Sequence, residues 1–280
     1  LLARRHSAPS ILLAALLTRP VWVAAQSTDS SPKTFYRASD LAWAGAFTLG
    51  SVALSRFDPA VAKYFQEPAH QTDPRMRRPA NIFTHLQETT LTLGGLATYG
   101  VARLVHAGRD VQEIGLHTAE AVAAASLTSQ VIRGPLGRAR PNATTPKFED
   151  QYEFHWFNGF GDFKYRAYPS IHSSSAFAAA TVIVAETRRR SPGATWVVAP
   201  LAYGIAVGPG YARMYLGQHW ASDVFMGAFL GTFYGARIVS YARAHPDNKV
   251  DRFFLGPRET TGLTVLPGSG HLEVSYGVAF

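Results

Sequence analysis

The chain has no cysteine. Disulfides, zinc–thiolate centres and thiol nucleophiles are therefore excluded. The lack is compatible with an oxidising compartment. Charge is also scarce, with charged residues at 16% against 47% hydrophobic, which is apolar for a soluble protein. Yet no uninterrupted apolar run approaches the roughly 20 residues that a membrane span needs. No internal repeat is visible, and strand signals are weak before the tail, so the predicted class is all-α. Acidic residues are the scarcer sign, at 19 against 27 Lys+Arg, which leaves a net charge of +8. A basic chain suits nucleic acid, an anionic lipid surface or a phosphorylated small molecule. The basic residues are not interleaved with aromatics in one long stripe, so nucleic acid is not an expected partner.

What is present divides the chain into a leader, a linker and a helical body. Arg4 and Arg5, the apolar core from Ile11 to Leu17 and Ala24-Ala25 before Gln26 read as a secretory signal over residues 1–26. The Ser/Thr/Pro-rich stretch 27–39 reads as a linker. Residues 40–280 then read as one helical domain. Periodicity and end signals place helices over about 40–55, 82–106, 111–132, 172–188, 194–208 and 217–243. Asp40 is the expected N-cap of the first, and Arg133-Gly134-Pro135 and Gly208-Pro209-Gly210 are expected stops. The proline-rich stretch 56–80 and the stretch 134–169 read as irregular. Within the tail at 260–280, Thr264–Leu266 and Leu272–Phe280 read as a short β-hairpin turning at Pro267-Gly268-Ser269-Gly270.

Three stretches carry chemistry. In Arg213-x5-His219-x3-Asp223, His219 and Asp223 are four residues apart and share a face if helical. Asp223 can then accept from one ring nitrogen, which fixes the tautomer and leaves the other nitrogen as a base or nucleophile. Arg133-x6-Arg140-Pro141 puts two guanidinium groups just past a helix end. Pro169-Ser170-Ile171-His172 puts a hydroxyl and an imidazole at a helix start, where free N–H groups attract anions. Three Arg, a hydroxyl and a helix N-terminus make a cage for a tetrahedral oxyanion. The bland alternative for Arg138 and Arg140 is a solvated pair, His85, His117 and His155 belong to none of the stretches, and no carboxylate cluster for a metal is apparent.

The three stretches together resemble the signature of the type-2 phosphatidic acid phosphatase and vanadium haloperoxidase superfamily: Lys-x6-Arg-Pro, Pro-Ser-Gly-His and Ser-Arg-x5-His-x3-Asp. The matching span, 133–223, covers about a third of the chain. Arg133 stands for the Lys, Ile171 for the Gly and Ala212 for the Ser. The resemblance implies a six-helix bundle and a metal-independent phosphatase acting through a phosphohistidine, on a phosphomonoester or a lipid (pyro)phosphate such as phosphatidate or an isoprenyl pyrophosphate. It implies His219 as nucleophile, Asp223 as its orienting carboxylate and His172 as acid and base. It implies phosphate binding by Arg133, Arg140, Ser170, the Ile171 backbone and Arg213. No cofactor is implied, and vanadate is an expected inhibitor.

The alternatives within this resemblance are a vanadate-dependent haloperoxidase, with vanadate as cofactor, and a non-catalytic lipid-phosphate binding protein. A cleaved signal followed by six crossings would put Arg188–Arg190 outside the cell, against the positive-inside bias. The expectation is thus a periplasmic or secreted bundle, soluble or in peripheral membrane contact, with a multi-pass inner-membrane protein as the alternative. The sequence does not bear on oligomeric state.

Overall fold

A computed structural model describes residues 34–256, 262–268 and 271–277. The expected signal and linker residues 27–33 lie outside these. The six expected helices are corrected to ten α-helices among the described residues: α1 (Ala38–Ser55), α2 (Asp58–Gln66), α3 (Pro68–Thr72), α4 (Pro74–Phe83), α5 (Glu88–Leu104), α6 (Arg109–Leu136), α7 (Ile171–Arg190), α8 (Thr195–Tyr215), α9 (Ala221–Ala244) and α10 (Lys249–Leu255). The four additional ones are α2, α3, α4 and α10. Prolines misled the reading of the first three, because Pro68, Pro74 and the Pro following Asp58 open these helices rather than break them.

Other boundaries move for the same kind of reason. Asp40 is not the N-cap of α1; it sits inside the first turn and accepts from the Arg37 N–H at 2.8 Å. Pro135 falls in the last turn of α6, which ends at Gly137 in the left-handed conformation, φ 58°. Gly208-Pro209-Gly210 does not stop α8. Phe83 packs over Gly208 and Val224 over Gly210, with no room for a Cβ at either. Tertiary packing here outweighs local propensity, and it carries Arg213 into the last turn of α8.

The tail differs from expectation in its bounds. β1 (Gly262–Gly268) pairs antiparallel with β2 (His271–Gly277), with Pro267 opposite Leu272 and Gly268 opposite His271. Pro267 and Gly268 thus belong to a strand rather than to the turn.

α7 is the central helix. Its buried residues run nearly all round, from Ile171 through Ser173, Ser174 and Ser175 to Thr181, Val184 and Glu186, the pattern of a helix surrounded by others. The main apolar cluster joins Ala121, Val122 and Ala125 of α6 to Ala178, Ala179 and Val182 of α7 and Tyr234 and Val239 of α9. Most of these side chains are small, so helices approach closely. The row Gly227, Gly231, Gly235 on α9 lies against α7, where a Cβ would overlap Ser170 O, Ser174 O and Ala178 O respectively.

The outer faces are apolar. α1 buries Asp40, Ser51 and Ser55 and exposes Leu41, Trp43, Leu49 and Val52. Its buried polar groups are all satisfied. Asp40 pairs with Arg237, Ser51 Oγ donates to Ser222 O at 3.1 Å, and Ser55 Oγ meets Tyr152 Oη at 2.9 Å. α8 likewise exposes Trp196, Val197, Leu201 and Ile205. No helix among the described residues is long and apolar enough to cross a membrane.

Gly231→Ala should destabilise the fold by roughly 1–3 kcal/mol, because α9 must back away from α7. The urea midpoint measures this, and an unchanged midpoint would show that the two helices are not in backbone contact.

Candidate active site

The fold brings the three predicted stretches to one end of α6, α7, α8 and α9. Arg133 sits in the last turn of α6, and Arg140 lies just past its cap. Ser170 is the N-cap of α7. His219 precedes Trp220, the N-cap of α9. Backbone and indole bonds lock the stretches together. Ser170 N–H donates to Asp223 O at 3.0 Å, and Asn142 N–H to Gly217 O at 3.1 Å. Trp220 Nε1–H donates to Ala139 O at 2.9 Å.

His219 is held differently from expectation. Its Nδ1 lies 2.6 Å from Ala167 O, whereas Asp223 Oδ2 is 3.6 Å away. A carbonyl can only accept, so Nδ1 carries the proton and Nε2 presents a lone pair. Nε2 is buried and has no hydrogen-bond partner. Asp223 instead takes the Trp220 N–H at 2.7 Å and contributes its charge to the ring from 3.6 Å. The reason is local: α9 starts at Ala221, so His219 and Asp223 are not one helical turn apart.

The guanidinium groups are buried or half-buried around this ring. Arg133 Nε donates to Gln130 Oε1 at 2.7 Å. Arg140 donates Nε–H to Phe163 O at 2.8 Å and lies 3.6 Å above the Phe163 ring. Gln218 Oε1 accepts from both Arg140 and Arg213, a bridge the sequence did not suggest. Burial first, then Arg213 and Arg133, push Arg140 down to about 9. Burial and Arg166 push Arg133 down to about 10. Both remain cations at neutral pH. Glu88, at the start of α5, supplies an opposing charge to Arg133 and Arg213.

Both imidazoles feel the same field. Burial, then Arg140, Arg213 and Arg133, hold His219 well below the ordinary histidine range. Burial, then Arg213, His219, Arg140 and Arg133, hold His172 at about 2. Any dianion added among these cations works in the opposite direction and raises both. His172 Nδ1 has no hydrogen-bond partner.

The Ile171 and Ala212 departures from the motif are accommodated. Ile171 opens α7 with ordinary helical backbone, where a β-branched side chain fits. Ser170 Oγ caps the helix, accepting from Ser173 N–H at 3.4 Å and Ser173 Oγ–H at 3.1 Å. Ala212 is buried against Phe65, Ala80 and Tyr215, an apolar setting with no demand for a hydroxyl.

Sequence reasoning also missed a group capable of holding a metal. His117, Glu120 and Asp251 place ligand-type atoms within 4.8 Å of one another. Asp251 is on α10, so the grouping is invisible without the fold. It lies at the opposite end of α6 from Arg133.

Arg138 is no solvated partner of Arg140. It is 3% exposed and donates to Asp223 Oδ1 at 2.5 Å, Ser222 Oγ at 2.8 Å and Asp58 Oδ2 at 2.9 Å. Asp58, from α2, also accepts from Ser222 N–H at 2.9 Å. Burial raises Asp58 to about 6 against the pull of Arg138, and burial likewise raises Asp223. Arg138 is thus the cation that lets two carboxylates share the interior. Arg138→Gln should cost roughly 3–5 kcal/mol by stranding both, with Arg138→Lys intermediate because it loses the planar fork. Chemical denaturation checks the order, and wild-type stability in Arg138→Gln would refute it.

The PAP2 superfamily model matches residues 115–246. Over 69 residues the chain is 41% identical to the lipid A 1-phosphatase of Porphyromonas gingivalis, spanning 25% of this chain and 15% of that protein. The chain therefore covers only a small part of that curated relative. The crystal structure of the first transmembrane PAP2-type phosphatidylglycerolphosphate phosphatase from Bacillus subtilis has a TM-score of 0.52 at 22% identity, covering 71% of this chain and 94% of that one. That likeness shows a shared fold. With the motif order and the family match over the helices that carry it, residues 115–246 of this chain belong to the PAP2 superfamily.

Proposed function

We propose that the chain is a phosphatase that hydrolyses a phosphomonoester or lipid (pyro)phosphate through a phosphohistidine on His219. The observation that carries this reading is the state of the His219 ring. One nitrogen is tied to Ala167 O at 2.6 Å and the other is buried with no hydrogen-bond partner, beside three guanidinium groups. A lone pair so placed is a nucleophile aimed into an anion site.

In the proposed reaction, Arg133, Arg140, Arg213, the Ser170 hydroxyl and the Ile171 N–H hold the non-reacting phosphoryl oxygens. The substrate's negative charge offsets the cations that keep His172 deprotonated, so His172 gains a proton as substrate binds. His219 Nε2 then attacks phosphorus while the P–O bond to the leaving group breaks. His172 gives its proton to the departing oxygen. Asp223 and Ala167 O stabilise the cationic ring that results. In the second half, water attacks the phosphohistidine, His172 takes the water proton, and the P–N bond breaks to release phosphate. The scheme assigns no step to a metal or other cofactor.

A lipid substrate is favoured by the surface beside the cage. Tyr152, Trp156, Phe157, Phe160 and Phe163 are exposed on the segment between the first and second stretches, and Phe163 itself covers Arg140. An aromatic lip of this kind suits the boundary between water and lipid. The name of the Porphyromonas gingivalis relative, a lipid A 1-phosphatase, agrees with a lipid phosphate. We place the enzyme at a membrane surface on the periplasmic side, held by its apolar lip and positive charge.

His219→Ala should lower hydrolysis by at least about 10³-fold. His172→Ala should lower turnover of lipid phosphates yet still form a phosphoenzyme from an activated aryl phosphate, whose leaving group needs no proton. Rapid-quench labelling with radioactive aryl phosphate measures both, and near-normal turnover in His219→Ala would sink the mechanism.

A further inference from the structure

The cluster at the far end of α6 has a different chemistry from the phosphate cage. His117 and Glu120 are three residues apart on α6 and so share a face, and Asp251 reaches them from α10. Their ligand-type atoms lie within 4.8 Å of one another. His117 is 1% exposed. Its Nε2 is 3.2 Å from Asp251 Oδ1, and its Nδ1 has no hydrogen-bond partner. Behind that nitrogen, Glu186 Oε1 stands 3.6 Å away.

Glu120 is the residue that structural reasoning leaves unexplained. Its Oε1 is closed to solvent and has no hydrogen-bond partner. The neighbouring arginines serve other acids: Arg190 and Arg243 pair with Glu186, Arg189 with Asp110, and Arg109 with Glu113. A buried carboxylate oxygen without a donor is costly, and a bound cation removes that cost.

We propose that His117 Nε2, Glu120 and Asp251 form a binding site for one divalent transition-metal ion, with Glu186 as the carboxylate that orients His117 from behind. One imidazole and two carboxylates suit Zn²⁺ or Mn²⁺. Two ligands on one tetrahedral ion with bonds of ~2.1 Å sit ~3.4 Å apart, close to the 3.2 Å between His117 Nε2 and Asp251 Oδ1. Glu120 closes the remaining gap by side-chain rotation. A carboxylate on the non-ligating nitrogen is the usual support for a metal-bound histidine. The ion would staple the short helix α10 to α6 and leave the chemistry alone, because His117 and Arg133 are about 24 Å apart at 1.5 Å of rise per residue. The site is independent of the phosphatase reading.

The test uses the full chain stripped of metal with chelator and then dialysed. Isothermal titration with Zn²⁺ and with Mn²⁺ should give one saturable equivalent, and a 100-fold excess over Kd should raise Tm by at least about 5 °C. Glu120→Gln should lose at least about 10-fold in affinity and most of the shift, while His219→Ala should keep both. Circular dichroism confirms that Glu120→Gln is folded. Should that variant fail to fold, Co²⁺ added to the wild-type chain gives a second reading: a visible d–d band perturbed by histidine ligation supports the site. No saturable binding to the wild-type chain overturns the proposal, as does full affinity in folded Glu120→Gln or a Co²⁺ band that vanishes in His219→Ala.

Discussion

The Ser170 N–H donates to the Asp223 carbonyl at 3.0 Å, and this backbone bond clamps the N-termini of α7 and α9 together. His172 lies just inside one helix and His219 just before the other, so their separation is set by this contact. Gly227 makes the contact possible, since a Cβ there would overlap Ser170 O. Gly231 and Gly235 extend the same close approach down the helices. The small-residue core is therefore a positioning device as much as a source of stability. Large side chains between α7 and α9 would part the two imidazoles.

Charge sets the second constraint. Arg133 and Arg140 are buried and Arg213 half-buried around His219; burial first, and the crowding of cations after it, lowers Arg133, Arg140, His172 and His219. Such an arrangement is stable only if the cations are fixed from outside. Gln130, Gln218 and the Phe163 carbonyl do that. Deeper in, Arg138 pairs with both Asp58 and Asp223 behind His219. A cage so built favours whatever adds negative charge, which is the property that phosphoryl transfer needs.

Much of this could be read from the chain, because local rules apply where function concentrates. The positions Arg133, Arg140, Ser170, His172, Arg213, His219 and Asp223 follow from the order of the three stretches and the family signature they resemble, and the structure brings them to one end of the helices. Ile171 stands at the first turn of α7 and needs no positive φ. Most of the misses are long-range. Nothing near Arg138 in sequence announces Asp58, eighty residues earlier. Ala167 O, not Asp223, accepts the hydrogen bond from His219 Nδ1–H, because α9 starts four residues later than its expected position. Pro209 failed as a helix stop because Phe83 and Val224, from two other helices, pack over its flanking glycines. His117, Glu120 and Asp251 meet only once α10 has folded back on α6.

The central claim is that His219 Nε2 attacks a phosphoryl group held by Arg133, Arg140 and Arg213. A crystal structure of the chain with vanadate tests it most directly, because vanadate adopts the five-coordinate geometry of the transition state. The account predicts vanadium bonded to His219 Nε2, its equatorial oxygens on the three arginines and the Ser170 hydroxyl, and His172 facing the opposite apical oxygen. Vanadate bonded to another group, or held by the arginines with His219 Nε2 turned away, would contradict it.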